Sequence, residues 1–478
     1  MKHKLIIITT TMKRKLLTIL AAFTCITMAF ASCEKPSTPD EGKQEQENPE
    51  DNKEPEEEVK LKAFKLSKEV TENWIFDEKP KITINIENPN SVAVTADITL
   101  KITTDLKEAV TTVTQSEEIP ANTKQTLTLT AEEGLVPGFY KAHCTVNKKT
   151  AASFFFGISP YEVVSEPDMQ PDFEEYWAEA KATLPEINDE TVTLTELKKT
   201  SSCTIYHVAM QSAPNSPDGE PVTLQGFYVE PIEGPKPVLL HFFGWDDRGG
   251  KVSIPGGSSE YAEFYLYIRG QYLNNRAPSN ADWWSLMDEE TYAGYNWITY
   301  NVGNLDGFFY RGAFLDCVQA VRFMASRPTS DIDNLFAEGS SQGGALCYAT
   351  AALSDYPVTG IAANVAFLGD YPDYFRIVSW PGDDVKRAAK NNGMTDEELY
   401  RFLSYFDTKN LATLVPETCA VLASSGLQDG TCPPHTNFAA FNNLKTTDKE
   451  MVIDPLMGHS YPSGWSSKYM KLFKERTK

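Results

Sequence analysis

The chain is poor in the residues that several common chemistries require. Histidine occurs only six times in 478 residues, and none of the eight cysteines lies at the CxxC spacing of a zinc or iron–sulfur site. Basic side chains are scarce as well: 44 Lys and Arg stand against 66 Asp and Glu, a formal charge of -22. So acidic a surface repels phosphate backbones, which argues against nucleic acid as a partner. No apolar run reaches the roughly 20 residues of a membrane-spanning helix. The length excludes a small disulfide-stapled scaffold and, at about 150 residues per domain, leaves room for two or three domains.

One short apolar run has a distinct meaning. The first 32 residues carry five basic and no acidic side chains, followed by an apolar stretch over residues 16–30, the layout of a secretory signal. Met12 directly precedes Lys13-Arg14-Lys15 and is the expected start. Phe30-Ala31-Ser32-Cys33 resembles the lipobox of bacterial lipoproteins, which makes Cys33 the expected lipidation site. Residues 34–60 hold eleven acidic and four basic side chains, four prolines and Val59 as the sole apolar residue. Such a segment buries no surface and reads as a disordered tether over 33–60. The expected location is the bacterial cell envelope, at the outer membrane or cell surface. The remaining cysteines, Cys144, Cys203, Cys317, Cys347, Cys419 and Cys432, are best read as buried free thiols.

Two folded parts follow. Over residues 61–160 the pattern has period two, with Ile82, Ile84 and Ile86, then Ile98, Leu100 and Ile102, then Leu127 and Leu129, broken by turns such as Asn88-Pro89-Asn90. This predicts a small all-β sandwich. It resembles the immunoglobulin-like modules of secreted bacterial enzymes and is expected to act as a spacer that props up its neighbour, with carbohydrate binding as the alternative. Residues 161–478 instead alternate short apolar strands with helical stretches, the α/β signature of a mostly parallel sheet. Strands are expected at 237–243, 264–268, 334–338, 419–424 and 451–453, and helices at 315–324, 342–353, 438–444 and 466–475.

The motif that carries chemistry is Gly339-Ser340-Ser341-Gln342-Gly343, between an expected strand and an expected helix. A tight strand-to-helix turn lifts a serine above its sheet, and small neighbours permit the strained backbone, so Ser341 is the candidate nucleophile. A serine hydroxyl needs a base to take its proton and a carboxylate to orient that base. Only His435 and His459 follow Ser341. His459 lies between the last strand and last helix, whereas His435 reads as a helix-entry residue, so His459 is the expected base. Asp429 is the sole acidic residue of the loop Ser425-Gly426-Leu427-Gln428-Asp429-Gly430-Thr431-Cys432, and it is the expected orienting carboxylate. An oxyanion needs waiting backbone donors, expected at Gln342 and, where Gly244 lets the chain approach, at Trp245.

Together with Asp172-Phe173, Tyr176-Trp177, Gly244-Trp245, Arg248-Gly249-Gly250, Arg269-Gly270-Gln271 and Cys432-Pro433-Pro434, these residues resemble the acetyl xylan esterase and cephalosporin C deacetylase family, carbohydrate esterase family 7, over most of 165–478. The resemblance implies an α/β-hydrolase fold and a serine esterase that removes acetyl groups from small acetylated carbohydrates without cofactor or metal. It also implies substrate contacts at Trp245, Arg269 and Gln271, and admits a homo-oligomer. The chain departs from the family at Phe243-Gly244-Trp245, where His-Gly-Tyr is usual, and after Gln271, where a segment with Trp283, Trp284 and Tyr300 is expected to pack rather than bind sugar. Two other readings compete: an esterase or exopeptidase for other small acyl groups, and a glycan-binding lipoprotein without turnover.

Overall fold

A computed structural model describes residues 60–245, 250–275, 283–292 and 297–478. The signal segment, Cys33 and nearly all of the acidic tether lie outside the described residues, as does Arg248-Gly249 of the resemblance. Among the described residues no helix is long and apolar enough to cross a membrane.

The N-terminal part consists of two sheets. One pairs Lys65–Lys68, Lys81–Glu87 and Lys124–Thr130; the other pairs Ile75–Phe76, Thr150–Ile158, Gly138–Val146, Val94–Thr104 and Ala109–Ile119 in that order. The period-two residues all turn inward: Ile82, Ile84, Ile86 and Leu100 are fully buried, and Ile98, Ile102, Leu127 and Leu129 nearly so. Trp74 stacks on Phe154 at 4.2 Å and joins this core.

The second part is built on a nine-stranded sheet. Its strands in chain order are β1 (Val192–Lys199), β2 (Cys203–Ser212), β3 (Val222–Pro231), β4 (Lys236–Phe242), β5 (Ala262–Tyr267), β6 (Ser330–Ser340), β7 (Gly360–Asn364), β8 (Ala420–Gly426) and β9 (Lys449–Asp454). Across the sheet they run β1-β2-β3-β5-β4-β6-β7-β8-β9. From β5 through β9 every pairing is parallel, while β1, β2 and β3 pair antiparallel. The parallel strands are apolar runs because helices cover both faces. Helix α1 (Phe309–Ala325) and helix α2 (Gln342–Leu353) are buried almost throughout, and α3 (Pro434–Asn442) and α4 (Trp465–Arg476) complete the pattern. The fold is therefore an α/β-hydrolase with a β-rich N-terminal part. The three antiparallel strands precede the first strand singled out from sequence; of these β1 has an exposed face, while in β2 and β3 polar residues such as Thr204, His207, Gln211, Thr223 and Gln225 interrupt the apolar runs.

The expected boundary near residue 160 separates two kinds of sheet, but not two bodies: residues 61–478 form one compact unit. Phe139 of the sandwich packs on Phe438 of α3 at 5.4 Å, and Asp105 accepts a hydrogen bond from His435 at 2.9 Å. Gln428 grips the strand Thr150–Ile158, donating to the Phe155 carbonyl and accepting from its N–H, both at 3.0 Å. The six described cysteines are all free and buried.

Candidate active site

Ser341 sits in the turn between β6 and α2 with φ 59° and ψ −116°, a conformation that L-residues rarely adopt. Its surroundings hold it there. The Ser341 N–H donates to the Asn364 carbonyl at 2.9 Å, and the Ser341 carbonyl accepts from Phe367 and Ala345. The glycines on either side are obligatory: a Cβ on Gly339 would lie 2.5 Å from the Gly343 backbone, and one on Gly343 would lie 2.4 Å from the Phe242 carbonyl oxygen. Strand β4 thus runs against the start of α2, and the turn exists only because both contact points lack a side chain.

Strand β8 delivers Asp429, whose carboxylate is wholly buried. One oxygen accepts the backbone N–H groups of Thr431 (2.8 Å) and Cys432 (2.9 Å), and the other accepts Nδ1 of His459 at 2.8 Å. An ionised carboxylate only accepts, so the imidazole carries its proton on Nδ1 and presents Nε2 as an acceptor. The acid and base loops are packed backbone to backbone: a Cβ on Gly426 would lie 2.5 Å from the Met457 carbonyl, and Gln428 donates from its backbone to that same carbonyl at 3.0 Å. His459 is partly exposed and, with Ser341, lines a cavity of about 520 Å³. Gly244, Trp245, Ser340, Phe367, Trp380, Thr431 and Tyr461 complete its lining. Ser341 and His459 thus open onto one cavity, the serine from a strained turn and the imidazole from a loop held by Asp429.

Gln342 opens α2, where first-turn N–H groups have no partner within the helix, and its side chain is held inside by the Tyr310 hydroxyl at 3.1 Å. Burial, reinforced by the charge of Asp429, pushes the Cys432 thiol well above the usual thiol range. Cys432 is therefore a neutral neighbour, not a rival nucleophile.

The acetyl xylan esterase (AXE1) profile matches residues 160–476. The chain belongs to that family. Membership makes it a carboxylic ester hydrolase. It is 27% identical over 354 residues to acetyl esterase Axe7A of Xylanibacter ruminicola, spanning 72% of this chain and 75% of that protein. Its structure is similar to acetyl xylan esterase 1 from Thermoanaerobacterium sp. JW/SL YS485 (24% identity, TM-score 0.56, 67% of this chain and 98% of the other). It is also similar to the acetyl xylan esterase from Paenibacillus sp. R4 (25% identity, TM-score 0.54, 66% and 98%).

Of the substrate contacts expected in this esterase, Trp245 lies at the cavity with Ser341, half-buried against Trp380 at 5.3 Å. Arg269 and Gln271 do not. Arg269 is 2% exposed and spends its donors inside the protein, on Asp316 (2.7 Å), Asn215 (3.0 Å) and the Ala213 carbonyl (3.0 Å). It braces α1 against β5 and β2. Gln271 is buried and lines a different cavity, with Tyr272, Met287 and Tyr292. Trp283 packs as expected, 7% exposed and stacked on His207 at 4.7 Å.

Two features of the esterase escaped the sequence. Asn364, fully buried at the end of β7, donates to the Ser340 hydroxyl (2.6 Å) and the Ser460 carbonyl (3.1 Å) and accepts from Ser424. It thereby ties the strand before Ser341, the strand before Asp429 and the loop that holds His459 together. His435, expected only as a helix-entry residue, faces Asp105, Asp370 and Asp373 at 2.9, 3.7 and 3.5 Å. Burial opposes its charge, but the three carboxylates outweigh burial and push it up to about 11, so it is an imidazolium fastening the sandwich to α3.

Proposed function

We propose that this esterase is a serine enzyme that removes acetyl groups from xylooligosaccharide-type carbohydrates through an acyl-enzyme, held at the bacterial envelope by a lipid on Cys33. The observation that carries the mechanism is the His459–Asp429 pair at 2.8 Å on the cavity that also holds the strained Ser341. Ser341 Oγ attacks the acetyl carbonyl while its proton passes to Nε2 of His459. Asp429 stabilises the imidazolium and fixes its tautomer. The backbone N–H groups of Gln342 and Trp245 receive the developing oxyanion, where preorganised donors cost no reorganisation. The imidazolium then returns the proton to the departing sugar oxygen, the C–O ester bond breaks, and acetyl remains on Ser341. Water, deprotonated by the same histidine, attacks the acyl group, releasing acetate and regenerating the serine hydroxyl.

The sugar preference draws on the acetyl esterase and acetyl xylan esterase names of the relatives and on the aromatic lining by Trp245, Trp380 and Tyr461. The test is hydrolysis of p-nitrophenyl acetate and an acetylated xylooligosaccharide by the chain and its Ser341→Ala variant. Cleavage of both substrates by the native serine alone supports the reading. Cleavage of the aryl ester only removes xylan as substrate, and equal inertness of both proteins removes the serine mechanism.

A further inference from the structure

Beside the cavity that holds Ser341 lies a second of about 520 Å³, whose walls come from both halves of the protein. The sandwich contributes Asp105 and Phe155; the hydrolase part contributes the segment ending at Trp380 and the acid loop through Pro434. Trp380 and Thr431 line both cavities, so the two adjoin across these side chains. We infer that the second cavity is a subsite for a neutral sugar unit of the same carbohydrate whose acetyl ester lies at Ser341, with the sandwich as one of its walls. This deepens the proposed function and rests on its carbohydrate-ester reading.

A pyranose ring presents apolar C–H faces and a rim of hydroxyls, and it fits a site that offers both. Phe155 is half-buried and Trp380 is 36% exposed, so both keep accessible ring surface, while Ile377, Val378 and the two prolines extend the apolar wall. Ser379 and Thr431 offer hydroxyls. Its charged lining residues are both carboxylates, Asp105 held on His435 and Asp429 on His459, and among the described residues that line it none is cationic to receive a uronic acid or a phosphate, which favours a neutral unit. The wall is also rigidly placed. Phe155 is clamped through its backbone N–H and C=O by the Gln428 amide, and Gln428 directly precedes Asp429. Trp380 is backed by Phe367 (6.0 Å, interplanar 15°) and by Trp245. A sugar ring held there would belong to the unit next to the acetylated one, so chain length enters recognition through the sandwich.

The test uses the full chain carrying Ser341→Ala, which binds without turnover, titrated calorimetrically with unacetylated xylobiose and xylohexaose. The hexaose is expected to bind more tightly than the biose. Phe155→Ala should weaken hexaose binding about five- to tenfold, and Phe155→Tyr should restore it, since the loss is that of one aromatic face. If Phe155→Ala does not fold, Ser379→Trp on the exposed rim is expected to fill the cavity and cost a similar factor. Hexaose affinity indifferent to Phe155 and to Ser379→Trp, or no binding at millimolar sugar, overturns the subsite. Turnover by the native-serine chain separates this from the underlying reading: hydrolysis of acetylated oligosaccharide without Phe155 dependence keeps the esterase and removes the subsite. Phe155-dependent binding without any ester hydrolysis keeps the subsite and removes the esterase.

Discussion

Asp429→Asn is the substitution whose outcome the geometry fixes most tightly. The side chain keeps its shape, and one oxygen already holds two backbone N–H groups, from Thr431 and Cys432. The asparagine carbonyl must occupy that position, because turning the amide would place NH₂ against two donors. Its NH₂ then faces Nδ1 of His459, where the carboxylate accepted at 2.8 Å. A donor there forces the imidazole into the tautomer with its proton on Nε2, which cannot accept the proton of Ser341. The fold keeps both backbone hydrogen bonds, so stability should fall by no more than about 1–2 kcal/mol. Turnover should fall by about 10³–10⁴, comparable to the same exchange in the serine-protease triad, or about 4–5.5 kcal/mol of transition-state stabilisation. The assay is kcat on p-nitrophenyl acetate from pH 6 to 9, beside urea unfolding of the same sample. A variant that folds normally and keeps more than about a tenth of kcat would refute the assigned roles of Asp429 and His459.

Other expectations follow from the same contacts. Gly343→Ala places a Cβ 2.4 Å from the Phe242 carbonyl oxygen, so urea unfolding should show a loss of at least about 3 kcal/mol, with activity falling further as the Ser341 turn relaxes. Arg269→Ala leaves Asp316 buried and unpaired, so equilibrium denaturation should show about 3–5 kcal/mol lost, while the folded fraction keeps its KM for small esters; a selective rise in KM would return Arg269 to substrate binding. His435 is raised by its three carboxylates from an ordinary value near 6.5 to about 11 in the folded protein. Its contribution is therefore complete below about pH 6.5 and is lost as pH rises through 11. Denaturation between pH 6 and 10 should show wild-type stability falling with pH, and His435→Gln should flatten that slope.

Much of the hydrolase core was legible because it rests on local requirements. Helix α2 follows from sequence as 342–353, since a small-residue helix after a glycine-flanked serine admits few other readings. The serine turn is visible for a related reason: the close approach of β4 to α2 forbids a side chain at Gly343, and a missing side chain is written directly into the sequence. Asp429 and His459 stand out as candidates by their places after β8 and β9, as loop residues that the chain order puts at one end of a parallel sheet. Arg269 enters as a substrate contact only because it stands in a motif of the family. What decides its role is Asp316, 47 residues later, and Asn215, 54 residues earlier.

The placement of the sandwich was illegible for the same physical reason. Periodicity records how one element meets its own core, so it predicted the buried faces of both sheets. The contacts that set the sandwich against the hydrolase are polar and distant in sequence: Gln428 with Phe155 across 273 residues, and His435 with Asp105 across 330. None of these contacts has a period, and Gln428 within its loop, Phe155 within its apolar strand and His435 at its helix entry each give no sign of the distant partner. Yet they fall beside the candidate site, since Gln428 adjoins Asp429, and Asp105 and Phe155 line the cavity next to that of Ser341. A freely tethered spacer would have no use for a buried imidazolium clamp or a two-point amide bridge to the acid loop. These contacts hold the sandwich in one orientation, and a fixed orientation is what a wall of a binding cleft requires.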